Sequence, residues 1–137
     1  RNPKCESTAF DDIDTYGNVR NEEQIHMDGI GIWNFIRSKV PDHIQEFLKK
    51  SKVTIGDIDQ FVFHQASKLT LDSLVKIMKL NPEKVFTNLE NIGNTVSSSL
   101  PIALADAREQ GRITEKDLVL ISGFGVGLSY GSMLIRF

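Results

Sequence analysis

The run Leu118-Val119-Leu120-Ile121-Ser122 leaves a fold little freedom. A strand this apolar, with no polar alternation, has both faces in a core, and in water that means helices packed on each side of a sheet. Behind it come the glycine-rich GFGVG (123–127) and a segment, Leu128 to Phe137, that alternates as a strand does. A tight glycine turn between two such runs predicts an antiparallel pair at the end of the chain.

Helices to cover that sheet can be read upstream. Ile32, Ile36, Val40, Ile44, Phe47 and Leu48 recur at helical spacing behind Asp28-Gly29, with Pro41 expected to kink or break the helix. Leu71, Leu74, Val75 and Met78 form a second stripe that ends near Asn81-Pro82. A third stripe, Val96, Leu100, Ala103, Leu104 and Ala107, contains Pro101, an expected bend, and closes at Gly111. Strands are predicted at 24–27, at Ile58 to Phe63 after a capped turn at 54–57, and at Val85-Phe86. Residues 1–23 are polar and turn-rich, a loop or a frayed hairpin edge. The order describes an α/β domain over 24–137, a mixed sheet with covering helices.

Composition narrows the function classes. The chain has 137 residues, 40% hydrophobic and 25% charged, which fits one core. Its net charge is -2 and its cations are scattered apart from Lys49, Lys50 and Lys52, so no nucleic-acid footprint is present. No apolar run has the length of a membrane span, and the first residues lack a signal-peptide core. One cysteine, Cys5, excludes an intrachain disulfide and fits a reducing, cytoplasmic setting. A start at Arg1 suggests a processed chain or a fragment of a longer one.

Three features stand where strands end or helices begin: His64-Gln65 within FVFHQASK, Asn94-Thr95, and GFGVG. In open α/β sheets sites gather at strand carboxyl ends, so the three are candidates for one cleft. Taken singly, each has a structural explanation. A strand-end histidine is often a hydrogen-bonded packing residue, and an asparagine after glycine is a common turn residue. No helix follows the glycines, so they are not a dinucleotide fingerprint. His26 on a short strand and His43 on an exposed helix face receive no role, no metal spacing is met, and Cys5 reads as an idle thiol.

Taken together in order, FVFHQASK, GNT with Asn94 thirty residues after His64, and GFGVGLSYG before a closing LIRF resemble the C-terminal half of β-ketoacyl-acyl-carrier-protein synthase III. The likeness runs from about Met27 to Phe137 and implies half of a thiolase fold. It further implies a decarboxylative Claisen condensation: acyl-coenzyme A primes a cysteine, and malonyl-acyl-carrier protein supplies the carbanion. Coenzyme A and carrier-protein phosphopantetheine are then substrates, and no separate cofactor is implied. By motif position His64 and Asn94 are the donors to the enolate oxygen, and the His/Asn pair marks the branch primed by coenzyme A thioesters. Such a donor is typically worth about 10²–10³ in rate.

The same resemblance places Val126 where a loop amide holds the thioester oxygen, Phe124 beside the nucleophile, and Trp33 along the pantetheine tunnel, with plain core packing the other reading of Trp33. The stretch Gln65, Ala66, Ser67, Lys68, Leu69 corresponds to the carrier-protein docking rim, Ser67 also touching substrate. It departs from the family at Ser67, often Asn, and at Leu69, often basic, with Lys68 next door as a point charge for the acidic helix of a carrier protein, and the choice of carrier stays open. The nucleophilic cysteine of the family belongs to an N-terminal half that these residues do not include, so the chain is expected to be inactive alone and dimeric when full length. Two other readings are a Cys5-His64-Asn94 hydrolase and a non-catalytic partner subunit of the same fold.

Overall fold

A computed structural model describes residues 5–15, 17–24, 27–125 and 127–137. After a short turn at Glu6–Thr8 come β1 (Asp12–Ile13) and β2 (Val19–Arg20), an antiparallel hairpin. Then follow α1 (Gly29–Lys50), β3 (Gln60–Phe63), α2 (Lys68–Met78), β4 (Val85–Phe86), the short α3 (Leu89–Ile92), α4 (Ser99–Glu109), β5 (Leu118–Gly125) and β6 (Ser129–Arg136). The main sheet has the order β4-β3-β5-β6, in which β3 is parallel to both neighbours and β6 antiparallel to β5.

Side-chain alternation sorts the layers. Phe61, Phe63, Leu118 and Leu120 enter one core with Ile36, Val40 and Ile44 of α1 and Leu71, Leu74 and Met78 of α2. Their intervening neighbours Val62 and Val119 enter a second core with Phe86 and with Ala103 and Ala107 of α4. Two helices therefore cover one face and α4 the other, which is why the LVLIS run has no polar alternation. The connection from β3 leads outward to β4, and the connection from β4 crosses back over β3 to β5 on its other side. The crevice they open lies at the carboxyl ends of β3 and β5.

Local chemistry explains the boundaries. Asp28 caps α1 by accepting from the Gly31 amide at 2.8 Å, and Thr54 and Asp57 form a reciprocal capping box before β3. Gly111, at φ 69°, follows the end of α4 as expected.

Several expectations change. Helix α1 runs through the buried Pro41 without a break. The fully sequestered aliphatics before and after it, Ile36, Val40, Ile44 and Leu48, contribute about 1.5–3 kcal/mol each, which outweighs the roughly 3 kcal/mol cost of an interior proline. Pro101 makes no bend, because it is in the first turn of α4, where amides have no intrahelical acceptor. Val96 leaves the third stripe: it precedes α4, is 70% exposed and has φ 56°. Of GFGVG, residues 123–125 still belong to β5, and the turn comes after them. Gln24 and Met27 are in no strand, and residues 25 and 26 lie outside the described residues. His43 is not on an open face, since its ring packs 4.6 Å from that of Tyr130 on β6.

Candidate active site at the carboxyl end of the sheet

His64 continues the ladder of β3 by one rung, its amide donating to the Ser122 carbonyl at 2.9 Å. Its imidazole meets the Phe124 ring edge-on, with centroids 5.7 Å apart and planes at 82°. Half-buried there, the ring has its pKa pushed below the ordinary histidine value by desolvation. It is neutral at pH 7, and among the described residues no group hydrogen-bonds either ring nitrogen. A neutral imidazole keeps one N–H to donate.

Asn94 reaches the same end of the sheet from the loop after α3. Gly93, at φ 73°, ends that helix in the left-handed region where glycine alone is unstrained. The Asn94 amide is oriented by two backbone groups: Oδ1 accepts from the Val96 amide at 2.9 Å, and Nδ2 donates to the Ala66 carbonyl at 3.3 Å. With Oδ1 engaged locally, the second Nδ2 hydrogen remains to donate on this exposed residue.

A groove of about 450 Å³ runs between the start of α1 and the start of α2, and Asn94, but not His64, is among its lining residues. Its walls bring together Trp33, Ala66, Ser67, Leu69 and Asn94, with exposed Met27 and Ile30 at the mouth. The Trp33 ring is pinned by the Arg37 guanidinium, 4.3 Å above its centroid. Trp33 is thus a groove wall as well as a packed residue. Phe124 is buried at 7% exposure and touches His64 rather than the groove. A larger cavity of about 560 Å³ lies on another side of α2, among Leu71, Val75, Val85 and Leu89, and holds neither His64 nor Asn94.

The predicted rim divides. Lys68 and Leu69 are exposed, Lys68 facing Asp72 at 3.5 Å. Ser67 caps α2, its Oγ accepting from the Thr70 amide at 3.2 Å. Ala66 is half-buried. Gln65 is not on the rim: its side chain is 0% exposed and bonded to protein groups on every side, a correction to the surface role. Val126 lies outside the described residues, so its amide has no described geometry. Cys5 is exposed in the N-terminal turn, and the groove has no cysteine among its lining residues. Among the described residues there is no metal-ligating cluster and no helix long and apolar enough to cross a membrane.

Sequence reasoning did not single out Ser99, which is buried and accepts from the Thr95 amide at 3.2 Å, tying the Asn94 loop to α4. The signal available was a hydroxyl inside an apolar stripe, one helical turn past Asn94.

Known proteins match this arrangement. Residues 48–137 match the family model for the 3-oxoacyl-[acyl-carrier-protein (ACP)] synthase III C terminal region. The β-ketoacyl-[acyl-carrier-protein] synthase III of Microcystis aeruginosa is 38% identical over 112 residues, 82% of this chain and 34% of that relative. The Natranaerobius thermophilus protein of the same name is 41% identical over 115 residues, 84% of this chain and 35% of its own. A crystal structure of a 3-oxoacyl-(acyl-carrier-protein) synthase III superposes with a TM-score of 0.94 at 37% identity, over 98% of this chain and 40% of that one. The Thermus thermophilus enzyme gives a TM-score of 0.81 at 29% identity, over 98% and 40%.

The fold is accordingly a thiolase-like α/β half with a mixed sheet. The chain belongs to the 3-oxoacyl-[acyl-carrier-protein] synthase III C-terminal family, and it spans about a third of the length of the curated relatives it matches.

Proposed function

We propose that this chain is the C-terminal part of an acyltransferase of the β-ketoacyl-acyl-carrier-protein synthase III type, and that His64 and Asn94 are its donors to the enolate oxygen. The observation that supports the reading is the pairing of a half-buried imidazole, whose burial favours the neutral form, with an exposed amide that gives one Nδ2 hydrogen to the Ala66 carbonyl and keeps the other, both at the carboxyl end of one sheet.

In the proposed reaction the carbon–carbon bond to the malonyl carboxylate breaks, carbon dioxide leaves, and the electron pair passes into an enolate whose oxygen becomes negative. Two N–H donors fixed before that charge develops stabilise it without reorganising. The enolate carbon then attacks an acyl thioester, and the cysteine thiolate departs. That cysteine, together with the acyl-coenzyme A specificity walls, is assigned to a partner half outside these residues, and the full-length protein to a homodimer. The groove beside Trp33 and Ser67 would hold the pantetheine arm of coenzyme A or of acyl carrier protein. Lys68 and Leu69 would form the docking rim, where a lysine meets an acidic carrier as a point charge. Absence of a separate cofactor and a cytoplasmic setting belong to the same reading.

The test is decarboxylation of a malonyl thioester by the full-length protein. His64→Ala and Asn94→Ala should each slow it about 10²–10³-fold. Unchanged turnover in either variant removes that residue from the role.

A further inference from the structure

Gln65 is completely buried, and its side chain makes four hydrogen bonds: Nε2 donates to the carbonyls of Phe63 (2.8 Å) and Phe86 (3.4 Å), and Oε1 accepts from the Thr87 hydroxyl (3.1 Å) and the Asn88 amide (3.2 Å). A primary amide satisfies two acceptors on one side and two donors on the other in a single orientation. The β3–β4 register ends at Val62 and Phe86, so the side chain supplies the rung that the diverging backbones lack.

Its chain neighbours are the groups already placed in the site. His64 precedes it, and the Ala66 amide closes a tight turn on the His64 carbonyl at 2.9 Å. The Ala66 carbonyl in turn receives the Asn94 amide at 3.3 Å. On the far side, Asn88 donates to Asp106 of α4 at 2.7 Å.

We infer that Gln65 is a positioning residue that sets the distance and angle between the His64 ring and the Asn94 amide, without touching substrate. The inference rests on the proposed roles of those two residues. An apolar replacement of similar length removes the side-chain partner of the Phe63 and Phe86 carbonyls and of the buried Asn88 amide, while the hydroxyl of exposed Thr87 can turn to water, and the cheapest relief is to let water into the end of β3. His64 then gains hydration. Its lowered pKa is caused by burial, with no charged side chain contributing, so hydration moves the titration upward.

The experiment compares wild type, Gln65→Met and Thr87→Val in the full-length protein. It reads kcat for malonyl-thioester decarboxylation, the NMR titration of the His64 ring, and near-UV circular dichroism for folding. Gln65→Met should lower kcat about 10²-fold, the scale of a 1 Å misplacement, and raise the His64 midpoint toward that of a free imidazole. Thr87→Val, which removes one of the bonds, should move both in the same directions by less. A folded Gln65→Met with wild-type kcat and wild-type titration overturns the inference. If Gln65→Met does not fold, Thr87→Val with both readings unmoved does so. If wild type shows no decarboxylation, the proposed function fails, and the titration still decides on Gln65: a raised midpoint supports positioning and an unmoved one overturns it.

Discussion

His64 and Asn94 stand at the same end of the sheet and are held there by opposite means. His64 is an extension of β3, fixed by a ladder bond to Ser122 and by the Phe124 ring, with the α1–α2 core beneath it. Asn94 is exposed and belongs to a loop that orients itself, from Gly93 at φ 73° through the Asn94 amide to Val96 at φ 56°. His64 draws its position from packing that spans the domain, and Asn94 mainly from backbone conformation within a few residues, with one long-range bond from its Nδ2 to the Ala66 carbonyl. Substitutions in the core should therefore disturb His64, and substitutions in the loop should disturb Asn94.

The strongest break of this contrast is Asn94→Asp in the full-length protein. It keeps the acceptor for the Val96 amide and replaces both Nδ2 donors by an oxygen facing the Ala66 carbonyl. Decarboxylation should fall about 10²–10³-fold, with little change in the His64 titration. Leu74→Ala tests the other side. Leu74 is fully buried in the core that holds Phe63, so denaturant unfolding should show a loss of about 2–5 kcal/mol, accompanied by a shifted His64 signal.

Smaller effects separate the two residues of unusual conformation around Asn94. At Gly93 an added Cβ meets nothing within 4 Å, so Gly93→Ala carries a backbone cost alone, about 1–3 kcal/mol in unfolding experiments for a residue at φ 73° and ψ -166°, with reduced turnover and an unmoved His64 titration. Val96→Gly relieves a left-handed β-branched residue and should stabilise by about 0.5–1 kcal/mol after the entropy cost of glycine. Least in size is the pH effect. Folded His64 takes up its proton less readily than the unfolded chain does. Its contribution to stability is full above the unfolded imidazole pKa, declines as pH falls toward the lower folded value, and levels off below that. His64→Gln should flatten this part of a stability–pH curve.

Much of the fold could be read from apolar spacing. The stripes of α1 and α2 follow a helical period, the LVLIS run is a short apolar stretch closed by glycines, and burial bears out all three. Pro41 misled because propensity is local, whereas the anchors on both sides of it are tertiary. In the site, His64 and Asn94 could be placed by motif order, and the structure brings them to one sheet end. Gln65 could not be placed that way. A polar side chain beside a motif histidine looks like surface until its four partners, three of them more than twenty residues away, are seen around it. Val96 fits a helical stripe in sequence, and nothing in its type announces a positive φ.

The central claim is that His64 and Asn94 serve one oxyanion. A double-mutant cycle of His64→Ala and Asn94→Ala, read as malonyl-thioester decarboxylation by the full-length protein, tests it most directly. Donors that act as a unit give a double variant about as slow as the slower single variant. Losses that multiply, or a single variant that retains the wild-type rate, would contradict the account.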